Sequence, residues 1–282
     1  MSNWLKDNYV VLTGAAGGIG SALTKILISN YGAKVIGIGR TESKLQALQT
    51  KLGEHGQAFS YFAFDVSVKE NWSAFREHLE SQNIQPVLLI NNAGVFPTFK
   101  KALDCEDDVL TRVMQTNFYS AVYAVKALSP ILVGANGLKP AVFNVCSSAA
   151  LCSVVGTAAY SASKAALKAY SEALQLEERD RLHVGILFPG MTKTELFREE
   201  ENMQDSILNT FSATAERMGD WIAKAIYRRK YHAVIGLDAQ LMSTTAKVAP
   251  ASGLALVRWV MKTSKNKLFS QVFDFKQEEI KG

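Results

Sequence analysis

The sequence predicts one doubly wound α/β unit, a parallel β-sheet with helices on both faces. Three observations predict it. Short apolar runs alternate with longer amphipathic stretches along most of the chain. The runs are almost continuously apolar, as in strands buried on both faces by crossover helices. No Pro/Gly-rich linker, low-complexity tract or internal repeat divides the 282 residues, a length that a prior of about 150 residues per domain allows for one large unit or two small ones.

The elements follow in order. Tyr9–Thr13 is the first strand, and a glycine-rich turn leads to a helix from about Ile19 to Tyr31. Lys34–Ile38 is the second strand. Thr41–Leu52 is helical, with Leu45, Leu48 and Leu52 on one face. Strand Ala58–Phe64, a polar helix over Lys69–Ser81 and strand Val87–Ile90 come next. A long helical region spans Asp107–Leu132 before strand Ala141–Val145. An Ala-rich helix, Ala158–Arg181, precedes strand His183–Phe188, and a helix over Ala215–Arg229 precedes the last strand, Ala233–Ile235. Right-handed crossovers place the loops that follow the strands on one rim, where such sheets bind ligands.

Composition removes several function classes. A chain with 48% apolar and 20% charged residues is neither disordered, collagen-like nor coiled-coil. The three cysteines (Cys105, Cys146, Cys152) are few and odd in number, which argues for a reducing compartment over a disulfide scaffold. The opening MSNWLKDNYV lacks the apolar core and cleavage site of a secretory signal, and no run reaches the ~18 apolar residues of a membrane span. A cytoplasmic location is expected. His55, His78, His183 and His232 share no metal-ligand spacing, so no metal is expected. The 31 Lys and Arg against 26 Asp and Glu leave only +5, which says little about nucleic acid by itself and suits an anionic cofactor or substrate; no nucleic-acid partner is expected.

Thr13-Gly-Ala-Ala-Gly-Gly-Ile-Gly20 joins the first strand to the first helix. Gly14, Gly18 and Gly20 permit a tight turn, close approach of a pyrophosphate and close helix–strand packing, and the helix start offers unpaired N–H groups. The spacing is G-x3-G-x-G. A discriminating residue is expected about 20 residues further on, where an acid would bond a ribose 2′-hydroxyl and an Arg would accommodate a 2′-phosphate. The sequence there reads Gly39-Arg40-Thr41, without an acid, which predicts NADP(H) over NAD(H) through a charge-assisted Arg40 contact. An NAD-dependent alcohol or hydroxysteroid-type dehydrogenase is the first alternative, and a cofactor-binding regulator without turnover the second.

Tyr160 and Lys164 stand at i and i+4 in a helical stretch, on one face. A free phenol is a poor base at neutral pH, and a nearby cation favours phenolate. Ser147 and Ser148 end a buried strand, and Ser147 lies 13 residues before Tyr160. A serine hydroxyl there could hold a substrate oxygen in line.

With these segments in place, the sequence resembles the short-chain dehydrogenase/reductase superfamily. The resemblance rests on TGAAGGIG at 13–20, Asp65-Val66, NNAG at 91–94, Asn117, Ser147, Tyr160-x-x-x-Lys164, and Pro189-Gly190 with Thr192 and Thr194, in register from about residue 8 to 195. It implies a Rossmann-type sheet and hydride transfer between an alcohol and a carbonyl. By resemblance Tyr160 is the general acid/base, and Lys164 lowers its pKa and bonds the nicotinamide ribose. Ser147 orients the substrate oxygen, in preference to Ser148. Asn117 interrupts the long helix and holds a water linked to Lys164. Gly14 and Ile19 contact the pyrophosphate, and Asp65 and Val66 flank the adenine. Asn91, Ala93 and Gly94 line the ribose. Pro189, Gly190, Thr192 and Thr194 border the nicotinamide.

The resemblance makes residues 1–236 the dinucleotide-binding and catalytic unit, with a substrate lid at about 195–212. The acidic run Glu199-Glu200-Glu201 reads as a solvated face. Phe96, Phe99, Leu151, Val154 and Val155 suggest an apolar pocket for a lipophilic alcohol or ketone. Residues 237–282 form a helical extension, not an independent domain. Leu237, Leu241 and Val248 have helical spacing, Pro250-Ala-Ser-Gly253 interrupts, and Leu254, Val257, Met261 and Leu268 resume. Beyond residue 254, Arg258, Lys262, Lys265, Lys267, Lys276 and Lys281 outnumber Asp274, Glu278 and Glu279. This extension either covers the pocket or sheet edge or lies on a membrane surface. The small face of Ala158, Ala162, Ala165, Ala166, Ala169 and Ala173, with the family's habit, implies a homodimer or homotetramer.

Overall fold

A computed structural model describes residues 3–193, 212–265, 269–273 and 275. Seven parallel strands form one sheet in the order β3-β2-β1-β4-β5-β6-β9. They are β1 (Tyr9–Thr13), β2 (Lys34–Gly39), β3 (Phe59–Ala63), β4 (Pro86–Asn91), β5 (Ala141–Val145), β6 (His183–Pro189) and β9 (His232–Ile235). The order reverses between β1 and β4, so the loops after these two strands open a crevice at the sheet's C-terminal rim.

Both faces of the sheet are covered, as continuous apolar strands require. Val10 and Leu12 point to one face, where they join Leu23, Leu27 and Ile28 of α1 (Gly18–Tyr31), Leu45 and Leu48 of α2 (Glu42–Lys51), and Met218, Ile222 and Ile226 of α7 (Ala215–Tyr227). Val11 points to the other face. There it meets Trp72, Phe75 and Leu79 of α3 (Lys69–Ser81), Ala124, Val125 and Leu128 of α5 (Ser120–Leu128), and Leu174 of α6 (Ala158–Glu177). Each fully buried large side chain contributes about 1.5–3 kcal/mol, so these two layers hold the rim rigid.

The long helix over Asp107–Leu132 is interrupted at Asn117, as the resemblance implied: α4 (Asp107–Met114) and α5 are joined by a π-helical turn at Gln115–Tyr119 that carries it. Three local differences from expectation matter. The second of these helices ends at Leu128, short of Leu132. A small parallel ladder pairs β7 (Thr192–Lys193) with β8 (Ala213–Thr214). Two-residue strands are too short to leave a periodic signal. Thr194, most of the expected lid and Glu199–Glu201 lie outside the described residues, as does Leu268.

The third difference is in the extension, which forms α8 (Leu237–Val248) and α9 (Pro250–Ser264). Pro250 opens α9 instead of interrupting it, because proline at the first helical position removes an N–H that has no intrahelical partner. Gly253 brings α9 against Thr245 of α8, where a methyl would lie 2.9 Å from Cγ2. No helix of the described residues is long and apolar enough to cross a membrane.

Candidate active site

The glycine turn is fixed by backbone geometry. Gly14 has φ +66°, a left-handed conformation that favours glycine. A methyl on it would stand 3.0 Å from Ala93 Cα. A methyl on Gly20 would collide with the carbonyl oxygen of Gly14. Gly17 caps α1 without a side-chain hydrogen bond, and the first turn carries no acid. The leading N–H groups of α1, from Gly18, Ile19 and Gly20, therefore face the crevice with the positive end of the helix dipole. An anionic pyrophosphate fits this cradle. Ile19 is half-buried against the core behind it.

Two side chains lock the turn to the β4 loop. Thr13 Oγ1 accepts from the N–H groups of Asn92 and Ala93, both at 2.9 Å. Asn92 Nδ2 donates to the carbonyls of Thr13 at 3.1 Å and Gly14 at 3.3 Å. Asn91 faces inward instead. It donates to Asn144 Oδ1 at 2.8 Å, and Asn144 donates to Ser171 Oγ at 2.7 Å, which ties β4, β5 and α6 together.

At the end of β2, the Ala15 N–H donates to the Ile38 carbonyl at 3.2 Å. This places Arg40, which is exposed, beside the cradle. Asp65 Oδ1 accepts from Ser67 N and Oγ at 2.9 and 2.7 Å, a local turn of the kind Asp favours. The Val66 side chain is buried in the cluster of Trp72, and its carbonyl accepts from Trp72 Nε1 at 2.9 Å. That side chain is core, and Asp65 alone of the pair carries polar reach at the rim.

Ser147, Tyr160, Lys164 and Asn117 converge. Ser147 stands after β5 in extended backbone, its Oγ accepting from Ala149 N at 3.1 Å, and it is near enough to the Tyr160 phenol to pull its pKa down. Ser148 is buried and starts a short 3-10 turn. Lys164 is buried and donates to the Val145 carbonyl at 2.9 Å. Asn117 Oδ1 accepts from Val95 N at 2.7 Å, and its Nδ2 donates to Val95 O and Ser163 Oγ, both at 3.0 Å. Gly94 lies between them: a methyl there would sit 3.3 Å from Asn117 Oδ1 and 3.4 Å from Lys164 Nζ.

The electrostatics differ from the expectation that Lys164 depresses the phenol. Lys164 Nζ lies 6.0 Å from the Tyr160 ring centre and spends a donor on Val145. Burial dominates and pushes the Tyr160 phenol up to about 12, against a smaller downward pull from the Ser147 hydroxyl. Burial also pushes the Lys164 ammonium down. The neighbouring Cys146 thiol is driven up to about 12 by burial, so it stays a thiol.

Beyond Tyr160 the wall is apolar. Phe96 meets the Tyr160 ring edge-on at 5.1 Å and Phe99 at 5.0 Å. Phe99 in turn meets Phe269 at 5.1 Å. Val154, Val155, Met261, Val272 and Phe273 complete this cluster. The extension therefore covers the mouth of the site with its inner side.

On the other flank, Pro189 ends β6 and Gly190 and Met191 lead to Thr192, whose Oγ1 donates to the Gly190 carbonyl at 3.1 Å. Asp238, in the first turn of α8, accepts from the Met191 N–H at 2.6 Å. A methyl on Gly190 would strike the Asp238 carboxylate. The sequence reading did not single out Asp238. Its signal was an acid in the first turn of a helix that leaves the rim directly after the last strand. Among the described residues no cluster of His, Cys, Asp or Glu could hold a metal.

Comparisons with known proteins agree with this fold. The short chain dehydrogenase family profile matches residues 8–205. An uncharacterized oxidoreductase of Bacillus subtilis is 31% identical over 193 residues, which are 67% of this chain and 53% of that protein, so the chain spans about half of that relative's length. The 3-ketodihydrosphingosine reductase of Bos taurus is 26% identical over 261 residues, 89% of this chain and 78% of that enzyme. A short chain dehydrogenase from Burkholderia cenocepacia, solved in complex with NADP, shares the fold with a TM-score of 0.74 at 23% identity, over 90% of this chain and 98% of that one. The chain belongs to the short-chain dehydrogenase/reductase family of oxidoreductases.

Proposed function

We propose that the protein is an NADP(H)-dependent oxidoreductase that interconverts a lipophilic ketone and its secondary alcohol, with Tyr160 as the proton donor in reduction. The observation that carries this reading is the convergence of Ser147, Tyr160 and Asn117 around buried Lys164, which is held to the Val145 carbonyl and lies against Gly94, beside the loop that locks the glycine cradle. When bound, the nicotinamide supplies the hydride. Ser147 holds the substrate oxygen, and Tyr160 gives its proton to that oxygen as negative charge develops. A phenol pushed up to about 12 is protonated at neutral pH, the form that reduction needs. Lys164 offers its remaining N–H donors to a ribose hydroxyl. Asn117 fixes Val95 and so holds Gly94 against Lys164.

Two supports bear on the finer features. Arg40 is exposed beside the cradle with no acid at that position, and the Burkholderia relative was solved with NADP. The apolar wall of Phe96, Phe99 and Phe269 suits a hydrophobic ketone, as the name of the Bos taurus relative does. A homodimer or homotetramer is supported by the exposed small residues Ala158, Ala162, Ala165, Ala169 and Ala173 on α6. The test is a turnover panel of hydrophobic and small charged ketones with NADPH and NADH. Hydrophobic ketones and NADPH should win, and Arg40→Ser should weaken NADPH roughly tenfold while leaving NADH unchanged. A preference for NADH in the wild type, or for small charged ketones, would overturn the corresponding feature.

A further inference from the structure

The outer side of the C-terminal extension carries a second, unassigned surface. From Ala239 to Phe273 the sequence has no Asp or Glu but contains Lys247, Arg258, Lys262, Lys265 and Lys267. Helix α9 divides into sides by spacing. Gly253, Val257 and Met261 face inward, at i, i+4 and i+8. Leu256, Trp259 and Val260 stand on another side and are 48%, 62% and 37% exposed. Arg258 and Lys262, four apart, form a basic flank, and Arg258 also lies over the Phe273 ring at 5.7 Å. Helix α8 repeats the pattern, with Ala239 and Ser243 buried and Leu237, Leu241 and Val248 strongly exposed.

We infer that this outer side binds an anionic bilayer surface. An exposed Trp beside Leu and Val, bordered by cations and without acids, is the composition of an interfacial helix: apolar side chains enter the headgroup boundary, an indole rests there, and the cations meet anionic lipid. A second copy is a poorer match. An isologous interface sets a patch against itself, and Lys247 and Lys262 would face cations with no acid between 239 and 273 to answer them. The inner side of the same segment closes over Phe99 at the mouth of the site. A bound extension would therefore place that mouth close to the lipid that dissolves a hydrophobic ketone. Only this last point rests on the function proposed above; binding itself does not.

The test is co-sedimentation of the full chain with phosphatidylcholine vesicles, with and without phosphatidylglycerol, at low and high salt. The wild type should pellet with anionic vesicles and be released by salt. Leu256→Ser combined with Trp259→Ser should weaken binding at least tenfold by removing the apolar contact. Lys247→Glu with Lys262→Glu should weaken it about tenfold or more and remove the salt dependence. Circular dichroism and NADPH binding of both double variants should match the wild type, which separates a lost surface from a lost fold or failed cofactor binding. Brominated acyl chains should quench tryptophan emission of the wild type, and Trp259→Phe should lose that quenching. Wild type that stays in the supernatant with anionic vesicles, or Leu256→Ser/Trp259→Ser that pellets like wild type, would overturn the inference. So would a wild-type oligomer that this double variant dissociates in sedimentation velocity, which would assign the face to a second copy.

Discussion

The glycine rim and the C-terminal cap border the same site but are built by different physics. The rim is a backbone device. Gly14 and Gly20 are required by a positive φ and a close approach within seven residues of chain, and the N–H groups of α1 need no side chain at all. The cap is a side-chain device. Phe99 meets Phe269, and Gly156 meets Val272, each pair more than a hundred residues apart in the chain. A short-range backbone constraint restricts residue type at fixed spacing. A long-range apolar contact asks only for volume and hydrophobicity. The rim should therefore fail sharply on one substitution, and the cap should fail gradually and selectively.

The largest expected effect lies where rim and cap meet. Tyr160→Phe should lower reductive kcat by roughly a hundredfold to ten-thousandfold while leaving NADPH affinity within about twofold, read by fluorescence titration. The pH profile adds a check. Burial raises the phenol to about 12, so the proton-bearing form dominates at lower pH and is lost as pH climbs through that value. Wild-type reductive kcat should be flat from about pH 6 to about pH 9. Near-wild-type turnover by Tyr160→Phe would remove the assigned proton donor.

Gly20→Ala sharpens the rim side. Its methyl collides with the Gly14 carbonyl, a backbone atom held in turn by Asn92. The turn or the start of α1 must move, and the N–H groups of the cradle lose their alignment. NADPH affinity should fall about a hundredfold by calorimetric titration, in line with losing several charge-assisted hydrogen bonds. An alanine variant that binds NADPH as tightly as wild type would show that the turn is only a connector.

The same contrast decides what was legible. All seven main strands stand within a residue or two of where apolar runs placed them, because a strand buried on both faces must be apolar throughout. The meeting of Ser147, Tyr160 and Lys164 was also readable, since i, i+4 spacing and the strand end fix it locally. What escaped depends on contacts remote in sequence. The direction of the Tyr160 shift needed to be known from its burial and from Val145 holding Lys164. Val66 joins Trp72 in the core, a choice between two faces that one residue cannot reveal. Asp238 reaches Met191 across 47 residues.

Phe269→Ala tests the cap by itself. Phe269 is 1% exposed, and truncating a buried Phe costs about 3–5 kcal/mol where its surroundings stay rigid. Here the loss should fall on the extension, because the two layers of the sheet do not include it. The KM for a hydrophobic ketone should rise about tenfold, NADPH affinity should hold within about twofold, and amide exchange should quicken in α9 before it does in the strands. Equal damage to cofactor binding would mean that cap and rim are one cooperative unit.

The smallest effect is the one that joins the two regions. Asp238 belongs to the extension by sequence, yet its carboxylate holds the Met191 N–H of the loop after β6. Gly236, with φ +109°, turns the chain so that α8 can start there. Asp238→Asn keeps an acceptor of the same shape, and Asp238→Ala removes it. The alanine variant should weaken NADPH binding by roughly tenfold, the scale of one hydrogen bond to a charged group, and the asparagine variant should recover most of that. The distinction matters because a general loosening of the extension would raise KM for ketone and leave NADPH untouched, as Phe269→Ala should. A shift in cofactor affinity, rescued by Asn, instead requires that the extension acts on the nicotinamide loop through this one carboxylate.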